Sequence, residues 1–105
     1  MFELYNDIIE SCREAGLIKN YKFNKVLQMV NNKGALLAVK EIIRLEEDVE
    51  ALQELIESGR EDLSVEALVL NDKYKDQFTD EDRMLAKEKL AIYKRKKEIV
   101  EEVQE

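Results

Sequence analysis

Carboxylates are the chemically capable side chains best supplied in this 105-residue chain, and they form two dense runs, Glu46-Glu47-Asp48 and Asp80-Glu81-Asp82. Converging carboxylates can hold a divalent cation or share a proton, but three consecutive residues of a helix fan around its axis instead of converging. Both runs are better suited to helix starts, where negative side chains complement the positive end of the dipole. Histidine is absent, which removes the commonest general base, the usual partner of a Ser or Cys nucleophile, and the commonest metal ligand. The single cysteine, Cys12, has no partner for an internal disulfide and falls on an apolar helix stripe, where it reads as a small core residue. Glycine-rich phosphate loops, Cys-x-x-Cys pairs and calcium loops are missing from the sequence. The expectation is a protein without catalysis, metal or cofactor.

What remains for function is charge. The segment from Glu46 to Asp62 carries Glu46, Glu47, Asp48, Glu50, Glu54, Glu57, Glu61 and Asp62 against Arg60 alone, whereas the segment from Lys87 to Lys97 sets Lys87, Lys89, Lys94, Arg95, Lys96 and Lys97 against Glu88 alone. An acidic surface (Glu46, Glu47, Asp48, Glu50, Glu54, Glu57, Glu61) and a basic one (Lys87, Lys89, Lys94, Arg95, Lys96, Lys97) are therefore the candidate partner-binding sites. Arg60 follows Gly59 among acids, where its fork can tie a carboxylate or the last carbonyls of the preceding helix, or else serve recognition.

These residues must be positioned by helices. The chain contains no proline and three glycines, with 45% hydrophobic and 39% charged residues, a composition that fits an all-α bundle. Tyr5, Ile8, Ile9 and Cys12 mark a first helix from about Phe2 to Ala15, which Gly16 ends; Phe23, Val26, Leu27 and Val30 mark a second, closed by Gly34. Ala35 to Arg44 repeats the pattern, so the two form a helix-turn-helix-like pair. The run Glu46-Glu47-Asp48 opens a fourth helix with Val49, Leu52, Leu55 and Ile56 on its apolar face and Ser58-Gly59 at its end. Ser64 caps a short, largely buried fifth helix, with Leu63 and Leu68 as a hydrophobic staple. A connector from Asn71 to Phe78 anchors Tyr74 and Phe78 in the core, and Thr79 with Asp82 approximates a capping box for the last helix. That helix reaches about Glu102, or roughly 35 Å at 1.5 Å per residue. Leu85, Ile92 and Ile99 recur every seven residues along it, with Val103 following, though Lys89 and Lys96 interrupt the seam. The pattern describes five to six helices: a bundle domain over residues 1–92 and an extension of the last helix over 93–105.

The segment Gly59 to Leu70, with its Leu63-Ser64-Val65-Glu66-Ala67-Leu68-Val69-Leu70 core, followed by Tyr74, Phe78-Thr79 and Ala86 to Leu90, resembles a widespread family of small, functionally uncharacterised bacterial helical proteins. The likeness extends to Tyr5-Asn6-Asp7-Ile8-Ile9, Cys12-Arg13-Glu14 and Lys33-Gly34-Ala35-Leu36, and so spans about residues 1–92. It implies the helical fold and no activity or catalytic residue. Leu52 and Ile56 stand where members of that family commonly carry an aromatic pair, and Glu61 where they carry leucine.

A net charge of −7 favours a protein partner over nucleic acid, because binders of phosphate usually carry the opposite sign. No apolar run approaches the ~20 residues that span a bilayer, and the amino terminus lacks the basic-then-apolar order of a signal peptide. A cytoplasmic protein without a membrane role is expected, monomeric or weakly dimeric through the last helix. Its most concrete role is an inhibitor or regulator of a nucleic-acid-handling protein, such as a bacterial defence nuclease, encoded by a phage or other mobile element. The alternatives are direct DNA or RNA binding by the helix-turn-helix-like pair, through Lys33, Lys40 and Arg44, or by the basic last helix, and a structural dimerisation module.

Overall fold

The computed structural model describes the backbone of residues 2–18 and 24–103 and the side chains of residues 3–17 and 24–95. The described residues are all-α, with six helices and no strand: α1 (Phe2–Ile18), α2 (Asn24–Lys33), α3 (Ala35–Ile42), α4 (Leu52–Glu57), α5 (Val65–Leu70) and α6 (Asp80–Val103), plus single 3-10 turns at Glu61–Leu63 and Asp72–Tyr74. Leu4, Ile8 and Ala15 of α1, Val26 and Val30 of α2, Ala38, Val39 and Ile42 of α3, and Val65, Leu68 and Val69 of α5 share one core. Leu52 and Ile56 of α4 form a second, smaller cluster with Tyr93 of α6.

Gly16 does not end α1, which runs on to Ile18. Of the three glycines, Gly34 and Gly59 take a positive φ and Gly16 does not, so Gly16 merely lowers helix propensity in passing. The buried stripe of α1 is also displaced from its expected position: Leu4, Ile8 and Ala15 are buried, while Tyr5 lies outward. Phe23, assigned to the stripe of the second helix, lies outside the described residues.

Gly34 performs the sharpest turn. Its N–H donates to the Val30 carbonyl at 2.9 Å, its own carbonyl accepts from Ala38 N–H at 3.1 Å, and its backbone sits at φ 86°, ψ 159°, a region open almost only to glycine. A Cβ there meets no heavy atom within 4 Å, so the penalty of a side chain is purely torsional. Gly34→Ala should lower the unfolding free energy by about 1–3 kcal/mol; an unchanged urea midpoint would show that the α2–α3 corner relaxes freely.

The α3–α4 link departs most from expectation. α3 stops at Ile42, and Glu46-Glu47-Asp48 do not start the next helix. Asp48 instead reaches forward, its carboxylate accepting from Leu52 N–H at 2.7 Å and Gln53 N–H at 3.2 Å. A short acidic side chain that satisfies the first amides of a helix from upstream competes with helical continuation, and the chain bends through Ala51 at φ 57°. Helix α4 is thereby cut to Leu52–Glu57 and ends in a two-bond turn, Gly59 N–H to Ile56 O at 3.0 Å and Arg60 N–H to Leu55 O at 2.8 Å.

The remaining caps form as expected. Ser64 Oγ accepts from Ala67 N–H at 3.1 Å, and Leu63 and Leu68 are buried together. Thr79 and Asp82 exchange bonds, Thr79 N–H to the Asp82 carboxylate at 3.0 Å and Asp82 N–H to Thr79 Oγ1 at 3.1 Å. Tyr93, the first residue assigned to the extension, is buried against α4.

Candidate functional site

Packing α6 onto α4 brings the acidic and basic segments side by side, and much of their charge is neutralised there or elsewhere in the fold. Glu61 pairs with Lys94 at 3.3 Å, Glu47 with Lys25 at 2.8 Å, and Asp48 is occupied by its cap. Arg60 holds Asp62 through two bonds of 3.0 and 3.1 Å and approaches Glu14 at 3.7 Å, which makes it a tie between the α4–α5 link and α1. Among the described residues, Glu46, Glu54 and Glu57 are exposed and have no cationic partner. Glu54 and Glu57 line, with Asp48 and Gln53, an open concavity of about 400 Å³.

The basic side thins similarly. Lys87 and Arg95 are exposed without an acidic partner among the described residues, and the side chains of Lys96, Lys97, Ile99 and Val103 lie outside them. Lys40 of α3 and Arg44 just past its end converge on Asp82 at 3.2 and 2.7 Å, and Lys33 at the end of α2 pairs with Glu41, so the cations of the helix-turn-helix-like pair are taken up by acids of the same chain. Burial pushes the Asp82 carboxyl up, but Arg44, the Thr79 N–H and Lys40 outweigh it and hold it at about 2.

Two residues assigned to the surfaces are not on them. Glu50 is 3% exposed and Lys89 9%. The irregular link before α4 turns Glu50 inward, and Lys89 occupies the same face of α6 as buried Asp82, Ala86 and Tyr93. They meet Glu66 of α5, which is fully buried. Lys89 Nζ donates to the Ile42 carbonyl at the end of α3 at 2.8 Å and lies 3.4 Å from a Glu66 oxygen. Glu50 Oε1 accepts from Val65 N–H at 2.8 Å, the first amide of α5. Glu50 Oε2 and both oxygens of Glu66 have no hydrogen-bond donor. A proton on Glu50 supplies the missing donor toward Glu66. Burial, followed by the Glu66 charge, raises the Glu50 carboxyl well above the ordinary carboxylate range. Two carboxyls, one proton and one ammonium leave the triad close to neutral, as a buried charge set requires.

The same environment reaches its neighbours. Burial, then the Glu50 charge, pushes the Cys12 thiol up to about 11, and burial, then Asp48, Glu66 and Glu50, raises the Tyr93 phenol. Beside Glu50, Ser11 and Cys12 lies a void of only about 10 Å³, room for no more than one water. The triad thus ties the link before α4, α5, α6 and the end of α3 together. A second polar knot joins α1 to the second 3-10 turn: Tyr74 OH donates to Asp7, which Lys73 also approaches at 2.6 Å. Burial and then Asp7 push the Tyr74 phenol up to about 12.

Sequence reading missed Glu66 as a partner for any charge. The signal was present, since Glu66 interrupts the otherwise apolar α5 and Lys89 falls on the heptad seam of α6. Among the described residues no group of three or more Cys, Asp or Glu is arranged to hold a metal ion, and no helix is long and apolar enough to cross a membrane. Fold and site together define an all-helical domain pinned by a buried Glu–Glu–Lys triad beneath a partly neutralised charged surface. No family model, curated protein or solved structure matches the chain.

Proposed function

We propose that this chain is a non-enzymatic binding protein that engages a basic protein surface through Glu46, Glu54 and Glu57. The observation that carries this reading is the sorting of the acidic segment: after the cap, the ion pairs and the buried triad are set aside, these three carboxylates are exposed and have no cationic partner among the described residues, two of them around an open concavity. Carboxylates so placed stand in for a phosphate run, and the partner class they fit is a nucleic-acid-handling protein with a basic groove. Inhibition or regulation of such a protein, including a bacterial defence nuclease, is the most concrete form of the role, and the resemblance to small bacterial helical proteins is compatible with it. A direct grip on DNA or RNA is the weaker reading because Lys33, Lys40, Arg44 and Lys94 are already paired with acids.

Competition against labelled duplex DNA for purified defence nucleases tests the proposal. The protein is expected to displace DNA from at least one, less effectively as salt rises, and the triple variant Glu46→Lys/Glu54→Lys/Glu57→Lys should weaken displacement by about tenfold or more. Equal competition by the triple variant, or none by the wild type across the panel, would sink it.

A further inference from the structure

Alongside α6 runs a groove of about 260 Å³, floored by Ile43, Leu45, Leu85, Ile92 and the Lys89 stem and rimmed by the carboxylates of Glu46 and Glu88. Neither rim carboxylate has a cationic partner among the described residues. Ile92, in mid-helix, is 49% exposed. An apolar floor between acidic rims fits an apolar helix stripe flanked by bases.

This chain contains such a stripe. Past Ile92 the sequence reads Lys94-Arg95-Lys96-Lys97 and then Ile99, seven residues beyond Ile92 as Leu85 is seven before it, a spacing that keeps one face toward a partner helix. Because α6 continues as helix to Val103, its distal stretch leads away from its own groove and cannot fill it. A second copy running in the opposite direction can. We infer that this face of α6 is the contact between two copies of the chain, the helices crossing antiparallel about Ile92.

Such a contact is two-fold symmetric, so each residue and its counterpart exchange roles. Ile92 meets Ile92 of the second copy. Leu85 comes level with Ile99 of the second copy, and Glu88 with Arg95 and Lys96, positions that follow from helix register alone. A parallel pairing would instead set the run from Lys94 to Lys97 against itself, which like-charge repulsion opposes. The groove shares Glu46 with the acidic docking edge, whereas Glu54 and Glu57 line a different concavity.

Sedimentation velocity across the micromolar to millimolar range tests it. The full chain should move from 12.3 kDa toward twice that mass. Ile92→Asp should raise the dissociation constant about tenfold or more with an unchanged circular dichroism spectrum, whereas Leu37→Asp, at a still more exposed leucine on α3, should not. As a second readout, Ile92→Cys in a Cys12→Ser background should form an intermolecular disulfide under mild oxidation, and Met84→Cys, on another face of α6, should do so far more slowly. A wild type that stays at 12.3 kDa, a dimer untouched by Ile92→Asp, or equal cross-linking at positions 84 and 92 would each overturn the inference.

Discussion

Replacing Lys89 by methionine is expected to lower the free energy of unfolding by about 3–5 kcal/mol, the range found when one member of a buried ion pair is removed. Methionine retains most of the aliphatic stem but deletes the ammonium 3.4 Å from Glu66 and the donor to the Ile42 carbonyl. The loss has two parts, an uncompensated carboxylate in the core and an unpaired helix-end acceptor, and each adds to the other. For contrast, the pair of Lys25 and Glu47, with side chains 53% and 65% exposed, belongs to a class worth about 0–1 kcal/mol. The measurement is urea denaturation at pH 7. Adding Glu66→Met to Lys89→Met should recover more than half of the loss, because removing both charges at similar volume is close to neutral where removing one is not. A Lys89→Met midpoint near wild type, or a double variant no better than the single, would mean that Lys89 does not compensate the buried carboxyls.

Where the backbone itself is constrained, the sequence was readable. Gly34 and Gly59 mark turns because their positive φ excludes other residues, and Ser64, Thr79 and Asp82 mark helix starts because a short acceptor side chain satisfies amides within reach. Gly16 was misread because a glycine inside a helix leaves no local trace of being passed through. Glu46-Glu47-Asp48 misled for a related reason: composition favours a helix start nearby, but Asp48 reaches its amides four residues on, and only the bend at Ala51 fixes the distance. The triad lay further out of reach. Its members come from the link before α4, from α5 and from α6, and which acid meets Lys89 depends on how those elements pack. Lys89 falls on the heptad seam of α6 but reads there as a charged interruption and is assigned to the basic surface, because the same pattern fits either face. Charge runs count residues, and only tertiary structure sorts them into free, paired and buried.

The second large effect is on pH dependence. For Asp82, held at about 2 against an ordinary 3.8, the stabilisation is present above about pH 3.8 and is lost as pH falls toward 2, amounting to about 2 kcal/mol. For Glu50 the sign reverses. Its carboxyl is raised well above 4.5, so the folded protein keeps a proton that the unfolded chain releases from about pH 4.5. Its stabilisation is complete below that pH and declines as pH rises toward the folded value. The thermal midpoint should therefore peak at mildly acidic pH and fall between about pH 5 and 7, with a limiting slope of about 1.4 kcal/mol per pH unit for one proton. Among the groups facing Glu50, Cys12 and Tyr93 are pushed upward, Lys89 and Glu66 form an ion pair at 3.4 Å, and the chain has no histidine to titrate in that window. Glu50→Gln keeps an acceptor for the Val65 N–H and supplies a permanent donor toward Glu66, so it should flatten the profile above pH 5 and raise the midpoint at pH 7. A wild-type midpoint that does not change from pH 5 to 7, or a Glu50→Gln variant with the wild-type slope, would place the proton elsewhere. Carbon-13 carboxyl shifts of Glu50 across the same range give the independent check, since a carboxyl raised well above 4.5 keeps that carbon at its protonated position at pH values where the unfolded chain has already released the proton.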